Sequence, residues 1–161
     1  MEKPKIERGI SFTPEMVKAI LEDRKTMTRR IARDKPRYAV GMKLWVKETW
    51  AVKKEQDFSA FGLAESRVIE VWHKDAEDHS LDRGRWRSAR FMPKRAARIW
   101  LEVVAVRFEP VQDITDAEAK AEGFSSRDHF LEYWDLIYAK QPDKKFITNP
   151  LVEAVTFRRI K

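Results

Sequence analysis

The stretch Asp23-Arg24-Lys25-Thr26-Met27-Thr28-Arg29-Arg30 marks a change of period in the chain. Upstream of it, Met16, Val17, Ile20 and Leu21 recur at helical spacing. They follow Thr13-Pro14, a pair suited to an N-cap and the first helical position, with Glu15 near the positive helix end. The helix should stop near Asp23. Residues 26–31 read as a strand, which puts Thr28 and Arg30 on one face. An ammonium (Lys25), a hydroxyl (Thr28) and a guanidinium (Arg30) then converge on one small volume. That set suits an anionic or carbonyl-bearing ligand. It equally suits a solvated basic turn after a helix, and spacing alone does not choose between the two.

Reading outward, residues 9–13 form a short strand with Ile10 and Phe12 on one face, and residues 36–41 a turn. Residues 41–50 alternate: Met42, Leu44, Val46 and Glu48 against Lys43, Trp45, Lys47 and Thr49. Glu48 breaks the apolar set. Either its carboxylate points inward, where it must be paired or functional, or the strand ends before it. Residues 51–66 read as a loop and 67–73 as a strand. Residues 98–108 give the longest strand signal, with Ile99, Leu101, Val103 and Ala105 opposite Trp100, Glu102, Val104 and Val106. Two apolar faces fit a central or barrel strand.

Thr115-Asp116-Ala117-Glu118 is a capping-box pattern, and the short helix it opens should stop at Gly123. Glu122 sits at that helix end, where the dipole disfavours a carboxylate. A compensating cation or a chemical task would account for it; by itself the position reads as an exposed Glu at a frayed end. Ser125 or Ser126 opens a second helix whose stripe of Phe130, Leu131, Trp134, Ile137 and Tyr138 reads as core. Residues 151–160 alternate as a closing strand, with a weak break at Glu153. Five or six strands, one early helix and two late ones give a single α+β domain over residues 1–161, around a curled sheet.

The balance of 33 Lys+Arg against 26 Asp+Glu gives a net charge of +7, which suits a polyanionic partner. Residues 83–98 hold seven basic residues and no acidic one, with Trp86 and Phe91 interleaved. Arg85, Trp86, Arg87, Arg90, Lys94 and Arg95 are therefore candidates for following a nucleic-acid backbone and stacking on bases, joined by Arg24 and Arg29 beside the motif. The competing reading is a charged insertion whose aromatics pack inward. The absence of cysteine excludes disulfides, thiolate metal sites and thiol nucleophiles. His73, His79 and His129 lack metal-ligand spacing, so neither metal nor cofactor is expected. With no apolar leader and no membrane-length run, a cytoplasmic protein is expected.

The motif, taken with Gly41-Met42-Lys43-Leu44-Trp45-Val46-Lys47-Glu48-Thr49-Trp50, Met92-Pro93, Gln112-Asp113-Ile114-Thr115, Ala121-Glu122-Gly123 and Asn149-Pro150, resembles the ASCH domain family of the PUA-like superfamily. The resemblance covers nearly the whole chain and is nearest to longer bacteriophage and prophage members. The family signature Gly-x-Lys-x-x-x-x-Arg is matched at Lys25 and Arg30, while Asp23 stands where the family has glycine. The resemblance implies a PUA-like pseudo-barrel of five or six strands with flanking helices, carrying an insertion at about 51–98. It implies a cleft for RNA or a modified nucleoside, with single-stranded DNA a second candidate. Some family members are amidohydrolases of N4-acetylcytidine, and their functional positions fall on Lys25, Thr28 and Glu122 as catalytic residues. Arg30, Glu48 and Trp50 would then bind substrate. A binding module without turnover, or a ribonuclease, would use the same cleft.

Overall fold

The computed structural model describes residues 6–53, 71–74 and 81–161. In chain order the elements are β1 (Glu7–Ser11), α1 (Pro14–Leu21), β2 (Met27–Ile31), β3 (Lys43–Lys47), β4 (Trp50–Val52), β5 (Val71–His73), β6 (Trp100–Pro110), α2 (Asp116–Ala121), α3 (Arg127–Ile137) and β7 (Leu151–Arg159). Five strands make one curled sheet in the order β1-β3-β6-β7-β2, while β4 and β5 pair separately. β1 runs parallel to β3, and every other pairing is antiparallel. The result is the expected α+β, barrel-like architecture.

β7 is buried on both faces, with Val152 and Ala154 on one side and Glu153 and Val155 on the other, whereas β6 buries Leu101 and Val103 on one face and leaves Val104 and Phe108 exposed. Leu44, Val46, Leu101, Val103, Val152 and Val155 are fully buried with Val17 and Ile20 of α1 and Phe130 of α3. Glu153, the break in β7, is equally buried. Its carboxylate accepts the backbone N–H groups of Arg37 at 3.2 Å and Tyr38 at 3.3 Å, so a buried charge anchors the loop before β3.

β3 ends before Glu48, one of the alternatives its sequence left open, and Glu48 and Thr49 divide it from β4. Two sequence expectations need correction. Ala51 and Val52, placed in a loop, belong to β4 and are buried. In β6 a bulge between Val103 and Ala105 shifts the alternation by one, so Ala105 is exposed rather than facing the core with Leu101 and Val103. Residues 54–70 and 75–80, which hold much of the expected insertion and His79, lie outside the described residues.

α1 and α2 end in the same way. After α1, Asp23 N–H donates to Ile20 O and Arg24 N–H to Ala19 O; after α2, Gly123 N–H donates to Lys120 O and Phe124 N–H to Ala119 O. Both are Schellman ends, which need a left-handed residue just past the helix. Gly123 supplies it with φ 95° and Asp23 with φ 58°. Asp23 thus adopts the conformation that the family's glycine takes freely, one that Asp tolerates better than most residues. Asp23→Gly should leave stability near wild type or raise it slightly. Asp23→Val should lower it by about 1–2 kcal/mol, the cost of a β-branched residue in that region, as read by urea denaturation.

Candidate active-site cleft

The two Schellman ends abut. Thr26 N–H donates to Ala121 O at 2.7 Å, and a Cβ added at Gly123 would lie 3.3 Å from Ala19 Cβ and 3.7 Å from Lys25 Cβ. This contact brings residues nearly a hundred positions apart to one place. Lys25 is 3% exposed, and its Nζ donates to Met27 O at 2.8 Å and Glu122 O at 2.9 Å. The second acceptor is a carbonyl left without a helical partner at the C-terminus of α2.

A cleft of about 280 Å³ opens here. Lys25, Thr28, Arg29, Arg30 and Glu122 line it, together with Ser11 and Thr13 from the segment that leads into α1. Phe12, Phe124, Phe130, Tyr133, Trp134 and Tyr138 supply aromatic walls. The volume is at the lower end for small-molecule sites, about 300–1,000 Å³, so it suits one base-sized ring rather than a duplex. The sequence reading assigned the α3 stripe to the core. Phe130 and Trp134 are indeed buried there, yet they also wall the cleft. Their spacing carried no signal to separate the two roles.

Burial lowers the pKa of Lys25 from 10.5 to about 8; Glu122 opposes the shift, while Arg30 and Arg29 add to it. Arg24, a nucleic-acid candidate beside the motif, faces solvent and pairs with Glu22. A neutral amine has two hydrogens and one lone pair. The two carbonyls take two of the ammonium hydrogens, so the proton lost on deprotonation is the third. Among the described residues no hydrogen bond engages the Thr28 hydroxyl, although the residue is buried in the lining. Arg30 donates from Nη2 to Ser11 O at 2.7 Å and lies over the Phe12 ring at 5.2 Å, while its Nε is buried without an acceptor.

Glu122 is 4% exposed, not the frayed-end residue that its position alone suggested. The compensating cation is Arg29. Its side chain is fully buried and donates to Glu122 at 2.8 Å, to Glu109 at 2.7 Å and to Glu118. Burial pulls the Arg29 pKa down, but Glu122, Glu109 and Glu118 more than offset this and raise it overall. Thr115 accepts the Glu118 N–H as the capping box requires, but the Glu118 carboxylate turns to Arg29 and Arg107 instead of back to the cap. Arg29 was expected at a nucleic-acid surface, and its burial corrects that placement.

The remaining candidates lie apart from the cleft. Glu48 is buried and takes two bonds from Arg98, at 2.7 and 3.0 Å; burial still raises its pKa. Trp50 is 1% exposed and donates from its indole to Ser88 O at 3.1 Å, so its ring is core, not a stacking surface. Arg87 is buried against that ring. Arg85, Arg90, Lys94 and Arg95 are exposed, and half-buried Trp86 carries the Arg83 guanidinium 4.3 Å from its ring centre. Among the described residues no group of three or more His, Asp or Glu could hold a metal ion, and no helix is long and apolar enough to cross a membrane.

Two outcomes test this geometry. Arg29→Met should destabilise the protein by about 3–5 kcal/mol, because three carboxylates lose their buried cation; chemical denaturation reads this. Lys25 binds fewer protons folded than unfolded between pH 8 and 10.5, so its penalty is relieved as pH rises through that window. Wild type should therefore gain stability relative to Lys25→Met from pH 8 to 10.5. The Lys25 Cε resonance in labelled protein should titrate near 8.

No family model matches the sequence, and no curated protein matches it. Solved structures do resemble it. The crystal structure of an ASCH domain from Lactobacillus crispatus JV V101 superposes with a TM-score of 0.58 at 10% identity, covering 96% of this chain and 79% of that one. The structure of a protein from Enterococcus faecalis V583, assigned to DUF984, superposes with a TM-score of 0.51 at 10% identity, covering 99% of this chain and 83% of that one. The chain has the fold of an ASCH domain.

Proposed function

We propose that this chain is an ASCH-type amidohydrolase that removes a short acyl group from a modified nucleoside of the N4-acetylcytidine kind. The observation that carries the reading is Lys25: a buried amine with a pKa near 8, its Nζ donating to two carbonyls, in the same aromatic-walled cleft that Thr28 lines. A planar base fits between such walls, and its acyl carbonyl would meet Thr28.

In the proposed reaction Lys25 takes the proton of the Thr28 hydroxyl as its oxygen attacks the acyl carbon. Arg30 offers the guanidinium for the oxyanion. Collapse breaks the amide C–N bond, and the proton from Lys25 goes to the leaving exocyclic amine. Water then hydrolyses the threonine ester, returning the Thr28 hydroxyl and releasing the carboxylic acid. The Glu122 carboxylate, held by Arg29, keeps a negative charge near the lysine, and the Glu122 main-chain carbonyl positions Nζ. Direct attack by a water that Thr28 orients gives the same products.

Incubation of the purified protein with N4-acetylcytidine should release cytidine and acetate. Lys25→Ala should lower the rate by about 10²-fold or more, the usual weight of a general base. The wild-type rate should rise with pH and level off above about 8, because the free amine is the active form. No cytidine above background with wild type overturns the deacylation for this substrate. A cleft that binds the nucleoside without turnover would then be a recognition site.

A further inference from the structure

The outer face of β1, β3 and β6 carries a pattern that the cleft does not use. In register, Gly9 of β1 sits opposite Trp45 of β3, and Trp45 opposite Trp100 of β6. Leu44 and Leu101 point to the core, so both tryptophans stand on the outside, where each is half-buried. Gly9 makes this possible. A Cβ there would lie 2.8 Å from the Trp45 ring, so only glycine lets the indole lean over β1. In the turn over residues 89–91, Phe91 is 65% exposed. Lys47 donates to Arg90 O at 2.7 Å and so fixes the Phe91 turn against β3.

Each of these three rings has a cation near it. Lys47 lies 5.5 Å from Trp45, Lys94 5.5 Å from Trp100 and the Arg90 guanidinium 5.8 Å from Phe91. Among the described residues Arg90 has no carboxylate partner, while Lys94 pairs with Glu7. We infer that this sheet face is a binding platform for single-stranded nucleic acid, with bases stacking on Trp45, Trp100 and Phe91 and phosphates taken by Lys47, Arg90 and Lys94. Base stacking on an aromatic ring outweighs a surface cation–π contact, so a base can replace the cation over each ring.

The platform adjoins the cleft. Ser11, which lines the cleft, is the register partner of Lys47, and Phe12 N–H donates to Lys47 O at 3.0 Å. A strand lying on the platform would therefore run towards the cleft edge. The inference does not depend on hydrolysis, because it concerns binding alone.

Fluorescence anisotropy of labelled single-stranded RNA and DNA 12-mers tests it, with the RNA duplex as a third arm. Wild type should bind a single strand, with affinity falling steeply as salt rises and with quenching of tryptophan emission. Trp45→Ala and Phe91→Ala should each weaken binding about tenfold, while free-nucleoside turnover by Phe91→Ala stays at the wild-type level. Phe91 is exposed, so its variant stays informative if Trp45→Ala fails to fold. The inference is overturned by an absence of binding at low salt, by equal affinity for the duplex, or by binding that Phe91→Ala leaves unchanged. Binding lost only in Arg30→Ala would place the strand in the cleft and also overturn it.

Discussion

Arg29 carries a charge that the fold cannot leave unmatched. Its side chain is wholly out of water, and the carboxylates that meet it come from the end of β6, from within α2 and from the cap of α2. Placing a guanidinium in such a position costs several kcal/mol unless geometry and hydrogen bonds recover it. Here the recovery is local: three acids face it, and Arg107 steadies two of them from the solvent side. Because Glu122 is one of the three, the interaction that holds α2 against β2 also aims a carboxylate into the cleft. The negative charge of Glu122 resists the loss of the Lys25 proton. The pKa falls to about 8 because burial outweighs Glu122, with Arg30 and Arg29 on the same side as burial.

Local rules made much of this legible in the sequence. Thr13-Pro14 opens α1 with the threonine side chain accepting the Met16 N–H, and Thr115 and Gly123 bracket α2 as their chemistry requires. Lys25, Thr28 and Arg30 line one cleft, as one of the two readings of their spacing had it, and Glu122, which the resemblance added, lines it too. What local rules missed was set by distant contacts. Alternation puts Arg29 on the side of β2 opposite Thr28 and Arg30, a side that is solvent in an isolated strand. Only the arrival of α2, some ninety residues later, turns it into a buried site. Trp50 and Glu48 failed as ligand candidates for a similar reason. Their partners, Ser88 and Arg98, lie in the basic segment, which folds back over β4 and makes that region a small second core. The bulge in β6 has no local signature at all, since either alternation of that strand is apolar.

In the two proposals, the two ends of the Ser11–Lys47 pair divide incompatible electrostatic tasks. A lysine with a pKa near 8 needs a dry place, because a watered ammonium keeps its ordinary value and gives up its proton too reluctantly to serve as a base near neutral pH. Cations meant for phosphates need the opposite: they must stay charged and exchange partners with solvent, so their attraction extends only about 8–10 Å at physiological salt. One pocket cannot serve both. A polyphosphate chain drawn into the cleft would raise the Lys25 pKa and remove the free amine. In the proposed division the aromatic walls of the cleft keep that charge outside, while the sheet face across β1 holds Arg90 and Lys94 exposed to water. The Gly9–Trp45 contact fits this division, since only a residue without a side chain lets a large ring lean across the edge strand instead of into the core.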